Sequence, residues 1–163
     1  MKAYKIPDTT LNLKDYEITN TALNLSSRGL THIPDLNHYP YLQILYLGSN
    51  QIETIQGLDK LVKLQILYLD TNQIETIQGL DELVNLRKLY LGRNQIETIQ
   101  GLDNLVNLWG LHLGGNQIET IQGLDNLVNL RELSIWDNQI ENSLGNKTAI
   151  NKLRDRGVKV YLK

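Results

Sequence analysis

The chain has 163 residues, 41% of them hydrophobic and 21% charged, with a formal charge of −2. That length suits one domain, and the lack of cysteine excludes disulfides, thiolate metal sites and cysteine nucleophiles. Residues 42–141 hold six basic and thirteen acidic residues, and residues 142–163 hold six basic and one acidic. A negative body with a positive end lacks the basic face that binds phosphates, so nucleic acid is not expected as a partner.

The N-terminus, Met1 to Thr10, is polar and holds no apolar stretch of signal-peptide length. Within residues 1–19, Ile6, Leu11, Leu13, Tyr16 and Ile18 are expected to cover one end of a core. Leu23 and Leu25 then alternate with polar residues, and Leu30, Ile33 and Leu36 follow at threes. This segment, 20–41, reads as a degenerate first copy of a unit that then repeats. The string Asn-Gln-Ile-Glu-Thr-Ile-Gln-Gly-Leu-Asp starts at Asn50, Asn72, Asn94 and Asn116, a spacing of 22 residues, with a partial fifth copy at Asn138. A fixed period of this kind builds a stack of small units with a long regular surface.

Within one copy, Leu45-Tyr46-Leu47 alternates apolar and polar, the pattern of a strand with one buried face. It recurs at Leu67-Tyr68-Leu69, Leu89-Tyr90-Leu91, Leu111-His112-Leu113 and Leu133-Ser134-Ile135. The spacing shifts to threes from Ile52 through Ile55, Leu58 and Leu61, which suits short 3₁₀ turns on the way back. The asparagine column is expected to satisfy loop backbone groups. Gly57, Gly79, Gly101 and Gly123 read as turn positions, and Asp59, Asp81, Asp103 and Asp125 as caps of short helices. After Ile140 the pattern stops. Asn146 is expected to cap a helix through Arg156 that ends at Gly157, and Val158 to Leu162 to form a final edge strand. No window is apolar enough to span a membrane.

Leu42, Leu45, Leu47, Asn50 and Ile52 stand in the spacing Leu-x-x-Leu-x-Leu-x-x-Asn-x-Leu. The chain resembles the leucine-rich repeat family over residues 20–141. Its Ile-x-x-Ile-x-Gly-Leu version is similar to the 22-residue class of phosphatase-regulating and internalin-type proteins. The resemblance implies an α/β solenoid: a curved parallel sheet on the concave face, 3₁₀ or short helical turns on the convex face, and a C-terminal capping helix and strand. The whole chain, 1–163, is then a single domain, with an N-terminal cap at 1–19, five repeats at 42–141 (the last incomplete) and a C-terminal cap at 142–163.

No constellation for catalysis stands out. His32, His38 and His112 lack metal-ligand spacing, and no nucleophile elbow or phosphate loop is present. No cofactor or metal is expected, and the chain reads as non-enzymatic. Glu53, Glu75, Glu97, Glu119 and Glu141 form a row that reads as a solvated flank, or as a site for a cation or basic partner. On the concave face the frame is constant while the outward positions vary. Tyr46, Tyr68 and Tyr90 form a ladder continued by His112, with Asp70, Lys88, Arg93, Glu132 and Trp136 beside it. Trp109 lies between Arg87 and Arg131, where a cation–π stack is available. Tyrosine there serves as an interface anchor, or fills a strand position and is copied by duplication. Solvent-facing, Tyr90 should cost far less than Asn94 when replaced by alanine. These residues point to a scaffold that holds a protein with a basic or mixed surface on its concave face, as the family resemblance also implies. The alternative is a structural array without a dedicated ligand. The cysteine-free sequence suits the reducing cytoplasm, and a monomer is expected.

Overall fold

Each 22-residue copy contributes one three-residue strand to a single sheet. The computed structural model describes residues 18–19 and 21–163. In chain order the strands are β1 (Ile18–Thr19), β2 (Ala22–Asn24), β3 (Ile44–Tyr46), β4 (Ile66–Tyr68), β5 (Lys88–Tyr90), β6 (Gly110–His112) and β7 (Glu132–Ser134). Helix α1 (Leu144–Asp155) and strand β8 (Lys159–Tyr161) follow. Strand β1 pairs antiparallel with β2, and β2 to β8 run parallel in sequence order. The register advances by one copy per strand, so Tyr46, Tyr68, Tyr90 and His112 lie in one row.

The alternation seen in the sequence decides the inward face. Leu45, Leu67, Leu89, Leu111 and Leu133 at the strand centres are buried, as are Leu47, Leu69, Leu91, Leu113 and Ile135. The return path closes the same core with Ile52, Ile55, Leu58, Leu61 and Leu64 and their equivalents. It is made of isolated turns of 3₁₀ type, such as Leu61 N donating to Leu58 O at 2.9 Å and Leu64 N to Leu61 O at 2.9 Å. With no helix there, Asp59, Asp81, Asp103 and Asp125 occupy turns and cap nothing.

The asparagine column stitches the copies together. Asn72 Nδ2 donates to Leu47 O and Leu69 O, both at 3.0 Å, and its Oδ1 accepts from Ile52 N at 3.0 Å. Asn50, Asn94 and Asn116 repeat this arrangement and are buried. Gly79, Gly101 and Gly123 have positive φ, and a Cβ on each would come within 2.4–2.5 Å of a carbonyl oxygen of the previous copy. Glycine therefore meets two demands there, the backbone conformation and the close approach.

At the C-terminus the cap of α1 is Ser143, whose hydroxyl accepts from Asn146 N at 3.2 Å. Asn146 itself does different work. Its buried amide accepts from Ile121 N at 2.8 Å and donates to Glu119 O at 2.8 Å and Glu141 O at 3.0 Å. It thus tethers the helix to the last copies, a contact between distant segments that local capping rules do not anticipate. Gly157 (φ 82) ends the helix, with its N–H donating to Arg154 O at 2.8 Å. Strand β8 then lies at the sheet edge beside β7. The expected N-terminal cover by Ile6, Leu11, Leu13 and Tyr16 lies outside the described residues, and of Ile18 only the backbone is described.

Candidate functional site

The outward row of the sheet forms a continuous stack of four rings. Tyr46 and Tyr68 have centroids 4.6 Å apart, Tyr68 and Tyr90 4.4 Å, and Tyr90 and His112 4.3 Å, all within 10° of parallel. Strand spacing of about 4.8 Å holds planar side chains in one rotamer at stacking distance. Stacking leaves the rings half-buried rather than freely exposed. Tyr90 has a neighbour on both faces, so its replacement by alanine removes two stacked contacts of about 0.5–1.5 kcal/mol each. That is more than an isolated solvent-facing side chain would lose, although Tyr90 does face outward.

Four of the other site residues lie across a glycine in an adjacent copy. Asp70 reaches over Gly92, accepting from its N–H at 3.3 Å. A Cβ at Gly110 would sit 3.4 Å from Lys88 Cγ, one at Gly115 3.2 Å from Arg93 Cγ, and one at Gly114 2.4 Å from Trp136 Cε2. The glycines of the variable columns are thus seats for their long neighbours. The signal was in the sequence as a glycine one period away from each bulky residue.

Lys88 extends over Gly110 to place its Nζ 4.3 Å from the Trp109 ring centroid. The cation on Trp109 is therefore Lys88 and not Arg87 or Arg131, because the shared glycine opens the path from the concave column. Arg93 sits apart from the ring row. With Ser49, Thr71, Gly115 and Asp137 it occupies a left-handed turn after the strand, at φ 54. The turn fixes the backbone of that column, while the Arg93 side chain itself is exposed.

The charged groups converge on the Tyr90–His112 end. Burial raises the Asp70 carboxyl above its usual range, partly opposed by the Gly92 N–H, His112 and Arg93. Burial lowers the His112 imidazole, against the opposing pull of Glu132 and Asp70. Burial likewise raises the Tyr68 and Tyr90 phenols. His112, Asp70, Lys88 and Glu132 form one electrostatic group, while Tyr46 lies at the other end of the row. The Glu53 to Glu141 row is exposed, and among the described residues no three acidic or histidine side chains gather as a metal site.

Two features escaped the sequence reading. Val62, Val84, Val106 and Val128 form an exposed apolar row on the return side, 42–68% accessible. Beside it Asn85, Asn107 and Asn129 donate to Val62 O, Val84 O and Val106 O at 2.8–2.9 Å, a second asparagine ladder. A cleft of about 500 Å³ also opens between α1 and the last full copy, floored by Ile121, Leu124 and Leu153 and crossed by the Lys152–Asp125 ion pair at 2.5 Å. The valine column was visible as a constant Leu-Val pair; the cleft depends on how α1 docks.

Among the described residues no helix is long and apolar enough to cross a membrane. Among curated proteins, none matches the chain. The pattern for leucine rich repeats (two copies) matches residues 40–82 and again residues 84–126, more than half of the chain. Those limits enclose the copies whose strands, asparagines and turns form the regular part of the solenoid, and repeats of this kind are generally protein-interaction modules. The chain belongs to the leucine-rich repeat family.

Proposed function

We propose that the chain is a non-enzymatic scaffold that binds a protein partner on its concave face, as a monomer in the cytoplasm. The observation that carries this reading is the four-ring stack, a preformed and half-exposed aromatic strip held by rigid strands. Such a strip offers large contact area at little ordering cost, the property of interface anchors. The acidic balance of residues 42–141 favours a partner with a basic or mixed surface.

The test is site-directed photo-cross-linking in cell extract. A cross-linker replacing Ile66, beside the ring row, should capture one protein, and the same group replacing Val106 on the return side should not. Capture of the same protein from both faces, or only from Val106, would refute the concave assignment.

A further inference from the structure

The ring row does not end at His112; it has a gap and then resumes. Register carries the row from His112 to Ser134 and on to Tyr161. Tyr161 is 45% exposed. One face of His112 rests on Tyr90, and among the described residues no ring stacks on the other. Two strand spacings, about 9.6 Å, separate the His112 and Tyr161 rows. Neighbouring rings in the stack occupy 4.3–4.6 Å, so the spacing of the two rows matches the insertion of one flat group between them.

We infer that this gap receives an arginine side chain of the partner, as the missing plane of the stack. The inference rests on the concave face being the binding face. Its first support is Ser134, the floor of the gap, which is 8% exposed. The Ser134 hydroxyl makes no hydrogen bond to any described residue. No enclosed side-chain polar atom among the described residues lacks a partner, so this hydroxyl keeps some contact with solvent although the residue as a whole is covered. A donor entering beside Ser134 would give it the partner it lacks.

The second support is charge. Glu132 stands two residues before Ser134 on the same face of β7, and the Lys152–Asp125 contact is the one ion pair among the described residues. The Glu132 carboxylate therefore lacks a cation within bonding distance, whereas Asp70, three copies away and turned onto Gly92, takes no part. Lys88 is turned onto Trp109, and Lys159, the register neighbour of Glu132, is exposed and makes no ion pair with it. A guanidinium meets all of these conditions: it is flat, it stacks on an aromatic face, and its N–H fork donates to a carboxylate and a hydroxyl together. A lysine ammonium cannot stack as a plane, and a neutral ring would leave Glu132 unpaired.

The experiment titrates N-acetylarginine methylamide into the full chain while the His112 imidazole and Trp136 indole NMR resonances are followed. Saturable shifts at His112 are expected, with the lysine analogue about tenfold weaker because it lacks the planar fork. Ser134→Tyr, which fills the gap, should abolish the response. Glu132→Gln should weaken it about fivefold or more through loss of the charge-assisted bond, and it serves alone if Ser134→Tyr does not fold. Equal response to the lysine analogue, no saturable shift at His112, or full binding in either folded variant would overturn the assignment. If Ser134→Tyr still cross-links the partner from position 66, the concave reading stands and the arginine slot falls. If the gap binds the arginine analogue while cross-linking maps to Val106, the concave reading falls, and with it the assignment of the gap to the partner's arginine.

Discussion

Replacing Asn94 by alanine should destabilise the solenoid by about 2–4 kcal/mol. The side chain is 8% exposed. Its Nδ2 donates to Leu69 O and Leu91 O at 3.0 Å, and its Oδ1 accepts from Ile74 N at 3.0 Å. A longer bond runs to Gly92 O at 3.3 Å, which keeps its bond from Thr71 N at 2.8 Å. The other three backbone groups do not lose equally. Leu69 O keeps a bond from Asn72 Nδ2, and Leu91 O keeps one from Asn116 Nδ2. Each carbonyl falls from two partners to one, at about 0.5 kcal/mol apiece. Ile74 N loses the partner it has, and an orphaned buried N–H costs about 1–3 kcal/mol. At the end of the ladder Asn138 is only partly buried, and water can replace it for Ile118 N, so Asn138→Ala should cost about 1–2 kcal/mol. Urea unfolding followed by circular dichroism measures both, and an unchanged m value keeps the comparison one of stability. A loss under about 0.5 kcal/mol for Asn94→Ala, or one no larger than for Asn138→Ala, would refute the ladder as the structural seam.

The turn glycines should separate by their surroundings. Gly57→Ala meets open space and bears only the positive-φ penalty of about 1–2 kcal/mol, whereas Gly101→Ala also drives a Cβ to 2.4 Å from Ile77 O and should cost about 3 kcal/mol or more. Equal melting of the two variants would show that the copies do not approach as closely as described. Acid should weaken the fold through His112. Burial lowers its folded pKa below the ordinary value of about 6.5, so the unfolded chain binds the proton more readily and stability falls as pH drops through that window. His112→Gln should flatten this part of the stability–pH curve; an unchanged slope in unfolding measured from pH 7.5 to 5 (chosen to span about 6.5) would show that the imidazole is not desolvated.

The leucine frame and the asparagine column were readable from residues alone. Leu45, Asn50 and Leu58 each repeat a local rule, alternation in a strand or a polar group at a turn, and the period states the rule several times over. Asn146 was not readable, because it sits at a helix start and bonds to Glu119 O and Ile121 N, two segments away. Lys88 on Trp109 and Trp136 on Gly114 were hidden for a related reason: the glycines between them are informative only once the copies lie side by side. The left-handed turn that holds the column of Arg93 was also not readable from Arg93 itself; Gly115 in that same column was the clue.

Sequence alone determined that this chain is a stack, which residues face its core and which row faces out, because burial in a short repeated unit follows a period of two and then of three. Only the tertiary structure decided that the outward rings touch, that long side chains settle on neighbouring glycines, and that the row breaks at Ser134 before Tyr161. Those are relations between copies, set by strand spacing and register, and no single copy contains them.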